Sequence, residues 1–84
     1  MNTTRKSKGD VNFYLEKEGD VYRLLKTVKI QVANKATKTK RITVSDFKFN
    51  RANFDNIDFS ENGLRLTDKQ YILQMISDIE VSNE

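Results

Sequence analysis

A chain of 84 residues, with 37% hydrophobic and 32% charged side chains, is long enough for one domain with a small core. It contains no cysteine and no histidine, which excludes a disulfide framework and removes the commonest metal ligands and the commonest general base. We therefore expect a non-enzymatic protein with no catalytic residues, no metal and no cofactor.

The hydropathy of the chain indicates where it resides. The first ten residues contain no apolar run, so no secretory signal is visible, and no apolar stretch is long enough to span a bilayer. We expect a cytoplasmic protein that does not enter a membrane.

The net charge of +3 conceals a strong asymmetry along the chain. Residues 21–54 hold nine basic side chains against one acid, whereas residues 55–84 hold two basic side chains against seven acids. The local charges are therefore +8 and −5, a separation that can attract a polyanion to one region. Lysine-rich strands also protect sheet edges and keep proteins soluble, so charge alone leaves both interpretations open.

The N-terminal half of the chain is typical of β-strands. Residues 1–10 are polar and aperiodic and predict a flexible arm, which leaves residues 11–84 as a single α+β domain. Val11, Phe13 and Leu15 alternate with polar residues. The sequence from Glu18 to Asp20 contains a glycine that permits positive φ, so a hairpin is expected there.

Two breaks in alternation follow the first hairpin. The apolar face from Tyr22 to Val32 is interrupted by Lys26, which predicts a bend or bulge in a long strand. After a connection around Asn34, the alternation over residues 42–49 loses one residue of phase near Ser45, which is also typical of a β-bulge.

The C-terminal third is predicted to contain one helix. Short strands are expected at residues 57–59 and 64–66, with Leu64 and Leu66 inward. The i, i+3, i+4, i+7 spacing of apolar residues then predicts an amphipathic helix over about 68–81. The helix is expected to pack against the sheet or to form a dimer contact through its apolar residues Tyr71, Ile72, Met75, Ile76 and Ile79.

The expected fold is thus an antiparallel four- or five-stranded meander with the C-terminal helix packed on one face. A core this small gains from a partner, so a homodimer is expected. The basic tract and the aromatic residues near it favour nucleic-acid binding, since cations neutralise phosphates and rings stack on bases. The five phenylalanines are also needed for the core, so Tyr14 is the aromatic residue most expected to be exposed.

Two segments, "RITVSDFK" (41–48) and "GLRLTDKQYILQMISDIE" (63–80), resemble the transcriptional-coactivator (positive cofactor four-like) family of single-stranded-DNA-binding proteins. The resemblance implies a curved antiparallel sheet backed by a helix, dimers that pair through the helices, and basic, aromatic sheet faces that bind unpaired DNA. It implies phosphate contacts for Arg41 and Lys48 and stacking for Phe47. The sequence departs from the family pattern at Asp55 and Asp58, where basic and aromatic side chains are usual.

These observations give a small nucleic-acid-binding protein, with single-stranded DNA favoured, as the first functional hypothesis. The alternative is a protein-interaction module, such as an inhibitor or adaptor of the kind that phages or mobile elements encode, that binds a protein partner and no nucleic acid. The candidate nucleic-acid-binding residues are Tyr14, Arg23, Lys29, Lys35, Lys38, Lys40, Arg41, Phe47 and Lys48.

Overall fold

The computed structural model describes residues 2–32 and 38–82, without the side chain of residue 82. It contains four strands, a 3-10 helix and one α-helix. In chain order these are β1 (Thr3–Lys8), β2 (Val11–Glu18), β3 (Val21–Gln31), β4 (Thr39–Asn50), the 3-10 helix (Arg51–Asn56) and α1 (Asp68–Ser82).

The strands form one antiparallel sheet in the order β1-β2-β3-β4, with α1 packed on one face against β1 and β2. This confirms the predicted α+β fold, a four-stranded meander with a C-terminal helix. The face under α1 carries the core, and the opposite face, here called the open face, has no element packed on it among the described residues.

The prediction of a flexible arm over residues 1–10 is wrong for Thr3–Lys8, which form the edge strand β1. This strand pairs with β2 from Thr3↔Glu16 to Lys8↔Val11. Two-residue Gly-Asp turns join β1 to β2 and β2 to β3, and both glycines have positive φ, 59° at Gly9 and 62° at Gly19. The alternation of apolar residues does not predict β1 or the turn that follows it, because β1 contains no apolar side chain. Its residues are held by backbone pairing and by the helix beside it.

A single β-bulge lies beside Lys26 and near Ser45, where the sequence predicted irregularities, and it explains the loss of phase in β4. Lys26 pairs with Ser45, but the next residue of β3, Thr27, pairs with Thr43, so Val44 is the extra residue of β4. The bulge restores Ile42 to the same face as Phe47 and Phe49, the face that carries the core.

Residues 57–59 and 64–66 do not form the short strands predicted for them. The 3-10 helix places Phe54 in the core, and the segment between it and α1 places Phe59 and Leu64 there. Leu66, predicted to be inward, is 85% exposed. Phe59 and Leu64 are therefore buried from an irregular loop, where strand alternation does not predict which apolar residues face the core.

The helix α1, Asp68–Ser82, matches the predicted range of 68–81 to within one residue. Its core residues Ile72, Met75, Ile76 and Ile79 are at most 2% exposed. They pack with Phe13, Leu15 and other sheet residues in one hydrophobic cluster. Within the described part of the chain, no helix is both long and apolar enough to cross a membrane.

Candidate nucleic-acid interface

The distal ends of β3 and β4 extend beyond the rest of the sheet. Strand β2 pairs with β3 only as far as Val11↔Val28, whereas the pairing of β3 with β4 continues to Gln31↔Thr39. One further hydrogen bond, from the Val32 N–H to the Lys38 carbonyl at 3.0 Å, prolongs the pair. We call residues 29–32 and 38–41 the basic ribbon. All eight of its side chains are exposed.

The basic ribbon carries an unbalanced positive charge. Four of its eight residues are cationic: Lys29, Lys38, Lys40 and Arg41. The sequence has no carboxylate between Asp20 and Asp46. Within residues 2–32 and 38–82, none of the four cations forms an ion pair. The charge of the ribbon is therefore free to attract an external anion.

The two faces of the ribbon differ in chemistry. The pairing register and the alternation of strands place Lys29, Gln31, Thr39 and Arg41 on the open face. The opposite face combines two aliphatic side chains of β3 with two lysines of β4. These residues are Ile30, Val32, Lys38 and Lys40.

Arg41 is fixed on the open face by polar neighbours. Its Nη1 donates to Thr27 Oγ1 at 3.1 Å. The Asn12 amide, in the orientation that satisfies both its polar atoms, accepts from the same nitrogen at 3.2 Å and donates to Ser7 Oγ at 2.8 Å. These bonds leave the other N–H groups of the guanidinium for a ligand. Sequence patterns did not indicate Asn12 or Thr27, because their role depends on pairing across three strands.

Arg23 lies on the open face but has a carboxylate partner. Its Nε and Nη2 donate to the two carboxylate oxygens of Asp46 at 3.1 and 3.0 Å. The hydrogen bonds from Arg23 hold the pKa of Asp46 below its usual range, and those to Asp46 raise the pKa of Arg23. Lys48 is exposed and pairs across the sheet with Arg23. Both predicted residues are thus separated from the ribbon along the strands, and the charge of Arg23 is balanced.

Tyr14 faces the open side of the sheet, as predicted from its position opposite to Val11, Phe13 and Leu15, but it is half-buried and not exposed. Its hydroxyl donates to Glu16 Oε2 at 3.2 Å, and the Arg5 guanidinium lies 5.3 Å from the ring centroid. Desolvation, followed by the hydrogen bond to Glu16, raises the pKa of Tyr14. The ring borders a shallow depression of about 360 Å³. Its two faces are therefore not both free for base stacking.

Phe47 does not lie with the other candidate residues. It is on the face that carries the core and packs partly buried against the core cluster. Its ring centroid is 5.8 Å from that of Phe49, which in turn contacts Tyr22 and Phe54 at 5.5 Å. The stacking role that the family resemblance implied for Phe47 therefore has no place on the open face.

The other predicted residues are placed as follows. Lys35 lies outside the described residues. The packing role of Ile72, Met75, Ile76 and Ile79 is fulfilled within one chain, so a homodimer cannot use these buried side chains as its contact surface. Tyr71 is half-buried, and its ring stacks on Phe13 at 5.9 Å. In the described part of the chain, no three carboxylates are grouped in a way that could hold a metal ion.

Comparisons with protein-family models, with curated proteins and with solved structures return no match. The resemblance to the positive cofactor four-like family therefore stays a prediction, and the candidate site is defined by its geometry and charge alone.

Proposed function

We propose that this protein binds nucleic acid through the basic ribbon. The observation that carries the proposal is the set of four exposed cations, among the eight residues of the two paired ribbon segments, that form no ion pair within residues 2–32 and 38–82. Elsewhere on the sheet, Arg23, Lys26 and Lys6 each lie within 4 Å of a carboxylate oxygen.

Counterion release supplies the binding free energy. Each phosphate neutralised by a lysine or arginine releases condensed cations, so the logarithm of the affinity falls by about 0.9 per phosphate for each decade of salt on duplex DNA and by about 0.7 on single strands. With four ribbon cations, we expect a slope of about −3 to −4 on a duplex. The binding should be weak at physiological salt and strong at low salt.

The test is a salt titration of fluorescently labelled oligonucleotides, followed by anisotropy. The variant Lys29→Gln/Lys38→Gln/Lys40→Gln removes three ribbon cations. The matched control, Lys17→Gln/Arg51→Gln/Arg65→Gln, removes the same charge from positions outside the ribbon. We expect the ribbon variant to lose most of the salt dependence and the control to keep it. Absence of binding to every oligonucleotide at low salt would refute the proposal.

The protein-interaction alternative stays a prediction, and a capture experiment with the same ribbon variant tests it. Strands β1 and β4 are the outer strands of the sheet and each pairs on one side, so a partner strand has two edges to which it could add. An acidic protein is also a polyanion. If the ribbon variant loses capture of a protein from nuclease-treated extract while oligonucleotides never bind, the alternative replaces the proposed function.

A further inference from the structure

The open face of the ribbon has the chemistry of a surface that contacts base edges. Its four side chains are two cations and two neutral hydrogen-bonding groups, Lys29, Arg41, Gln31 and Thr39. We infer that this face enters the major groove of duplex DNA and contacts base edges there, while the lysines of the opposite face contact phosphates. This inference rests on the proposed function and names its substrate class.

The shape of the ribbon supports a groove as its site. The major groove of B-form DNA is about 12 Å wide and admits a two-stranded β-ribbon. The Lys29 N–H donates to the Asp10 carbonyl of the β1–β2 turn at 3.0 Å, and beyond that bond the described residues place no third strand beside the two ribbon strands. Neighbouring strands are about 4.8 Å apart. The ribbon is therefore narrow enough to enter the groove, whereas the four-stranded body of the sheet is too wide.

The distribution of aromatic residues argues against single-stranded DNA as the preferred ligand. Binding to unpaired bases relies on aromatic rings as stacking platforms. The basic ribbon has none. The phenylalanines Phe13, Phe49, Phe54 and Phe59 are at most 7% exposed, and Tyr14 is engaged by Arg5 and Glu16.

The individual side chains suit base edges in a duplex. Arginine and lysine donate to the guanine O6 and N7 atoms, glutamine pairs with the N6 and N7 of adenine, and threonine contacts either. Arg41 lies at the base of the ribbon, where Thr27 and Asn12 of the sheet body fix its Nη1 before a ligand arrives and leave its other N–H groups for a ligand. Lys38 and Lys40 lie on the opposite face, where their long side chains can extend to the phosphates at the groove walls.

The first experiment compares three ligands of one sequence: duplex DNA, single-stranded DNA and duplex RNA. We expect duplex DNA to bind at least about tenfold more tightly than the others, because the major groove of A-form RNA is too deep and narrow for side chains to enter. Equal or tighter binding of the single strand or the RNA duplex would overturn this inference and leave the proposed function intact. Absence of binding to all three would refute the proposed function itself.

The second experiment tests the groove and the base contacts. Glucosylated hydroxymethylcytosine, which fills the major groove, should abolish duplex binding, and the minor-groove ligand netropsin should leave it unchanged.

Selection from a random duplex library should enrich a preferred sequence. The variant Gln31→Ala/Thr39→Ala should reduce the preference for that sequence over a scrambled duplex by about tenfold or more without changing the salt slope. The control Thr67→Ala/Gln70→Ala, at exposed positions outside the ribbon, should keep the preference. Competition by netropsin alone, or no enriched sequence, would overturn the inference.

Discussion

Lys26 Nζ lies 2.7 Å from Asp68 Oδ2, and the two side chains are only 7% and 10% exposed. The contact joins the middle of β3 to the first residue of α1, 42 positions later in the chain. The same carboxylate oxygen accepts the Arg65 N–H at 2.9 Å. Lys26 also lies 5.7 Å from the centroid of the Phe13 ring. A lysine on the apolar side of a strand is therefore tolerated because the start of the helix supplies its counter-charge.

Removal of one partner of this pair should destabilise the fold strongly. Lys26→Met or Asp68→Asn leaves a buried group without its partner, which costs about 3–5 kcal/mol of unfolding free energy. Urea unfolding followed by circular dichroism measures the change. The double variant Lys26→Met/Asp68→Leu should recover part of the loss, because no unpaired charge remains. As a control, Arg23→Met breaks an exposed pair and should have a much smaller effect. Similar losses for the buried and exposed pairs would contradict this account.

Gly63 should not tolerate a side chain. Its φ is +75°, and a Cβ there would overlap the carbonyl oxygen of Val44, the bulged residue of β4. We expect Gly63→Ala to lower the unfolding free energy by clearly more than a substitution at an open positive-φ glycine does, since steric overlap adds to the conformational cost. Gly19→Ala is the matched control, with a φ of +62° and nothing within 4 Å of the added atom. It should lose only about 1–2 kcal/mol. A smaller loss at Gly63 than at Gly19 would contradict the predicted overlap.

Ser45 offers a site for stabilisation. Its Oγ is buried and has no hydrogen-bond partner in the described part of the chain. Because an unsatisfied buried hydroxyl costs about 1–3 kcal/mol, we expect Ser45→Ala to raise the unfolding free energy by about 1 kcal/mol. Ser60→Ala, which removes a hydroxyl that donates to Asp58 Oδ1 at 2.9 Å, should not stabilise. Thermal unfolding of both variants gives the comparison, and destabilisation by Ser45→Ala would show that the hydroxyl has a partner.

Tyr22 should ionise late and link alkaline pH to stability. Desolvation, followed by the hydrogen bond that its hydroxyl donates to Glu80 Oε1, raises the pKa of Tyr22 from 10.0 to about 12. Since the folded state favours the neutral phenol, this contribution to stability is fully present below pH 10 and is lost as the pH rises toward 12. Tyrosinate absorbance should show a late component that Tyr22→Phe removes and Tyr14→Phe leaves in place. Persistence of that component in Tyr22→Phe would contradict the assignment.

The sequence alone predicted the elements that depend on local patterns. Alternating apolar residues and the Gly19-Asp20 turn predicted the second hairpin, and the 3.6-residue period predicted α1 almost to its ends. The phase loss near Ser45 predicted the bulge, because one extra residue must shift every side chain that follows it in the same strand. Each of these features follows from neighbouring residues, so no tertiary contact was needed to infer it.

Only the tertiary structure decided which cations are free and which aromatic rings are exposed. Arg23 pairs with Asp46 on the neighbouring strand and Lys26 pairs with Asp68 on a distant helix, so two cations of the +8 region are neutralised in the body of the sheet, whereas the four cations of the basic ribbon form no ion pair within the described residues. Strand β1 has no apolar periodicity and exists because β2 supplies its hydrogen bonds. Charge pairing and burial join residues far apart in the chain, and a local pattern contains no record of such neighbours.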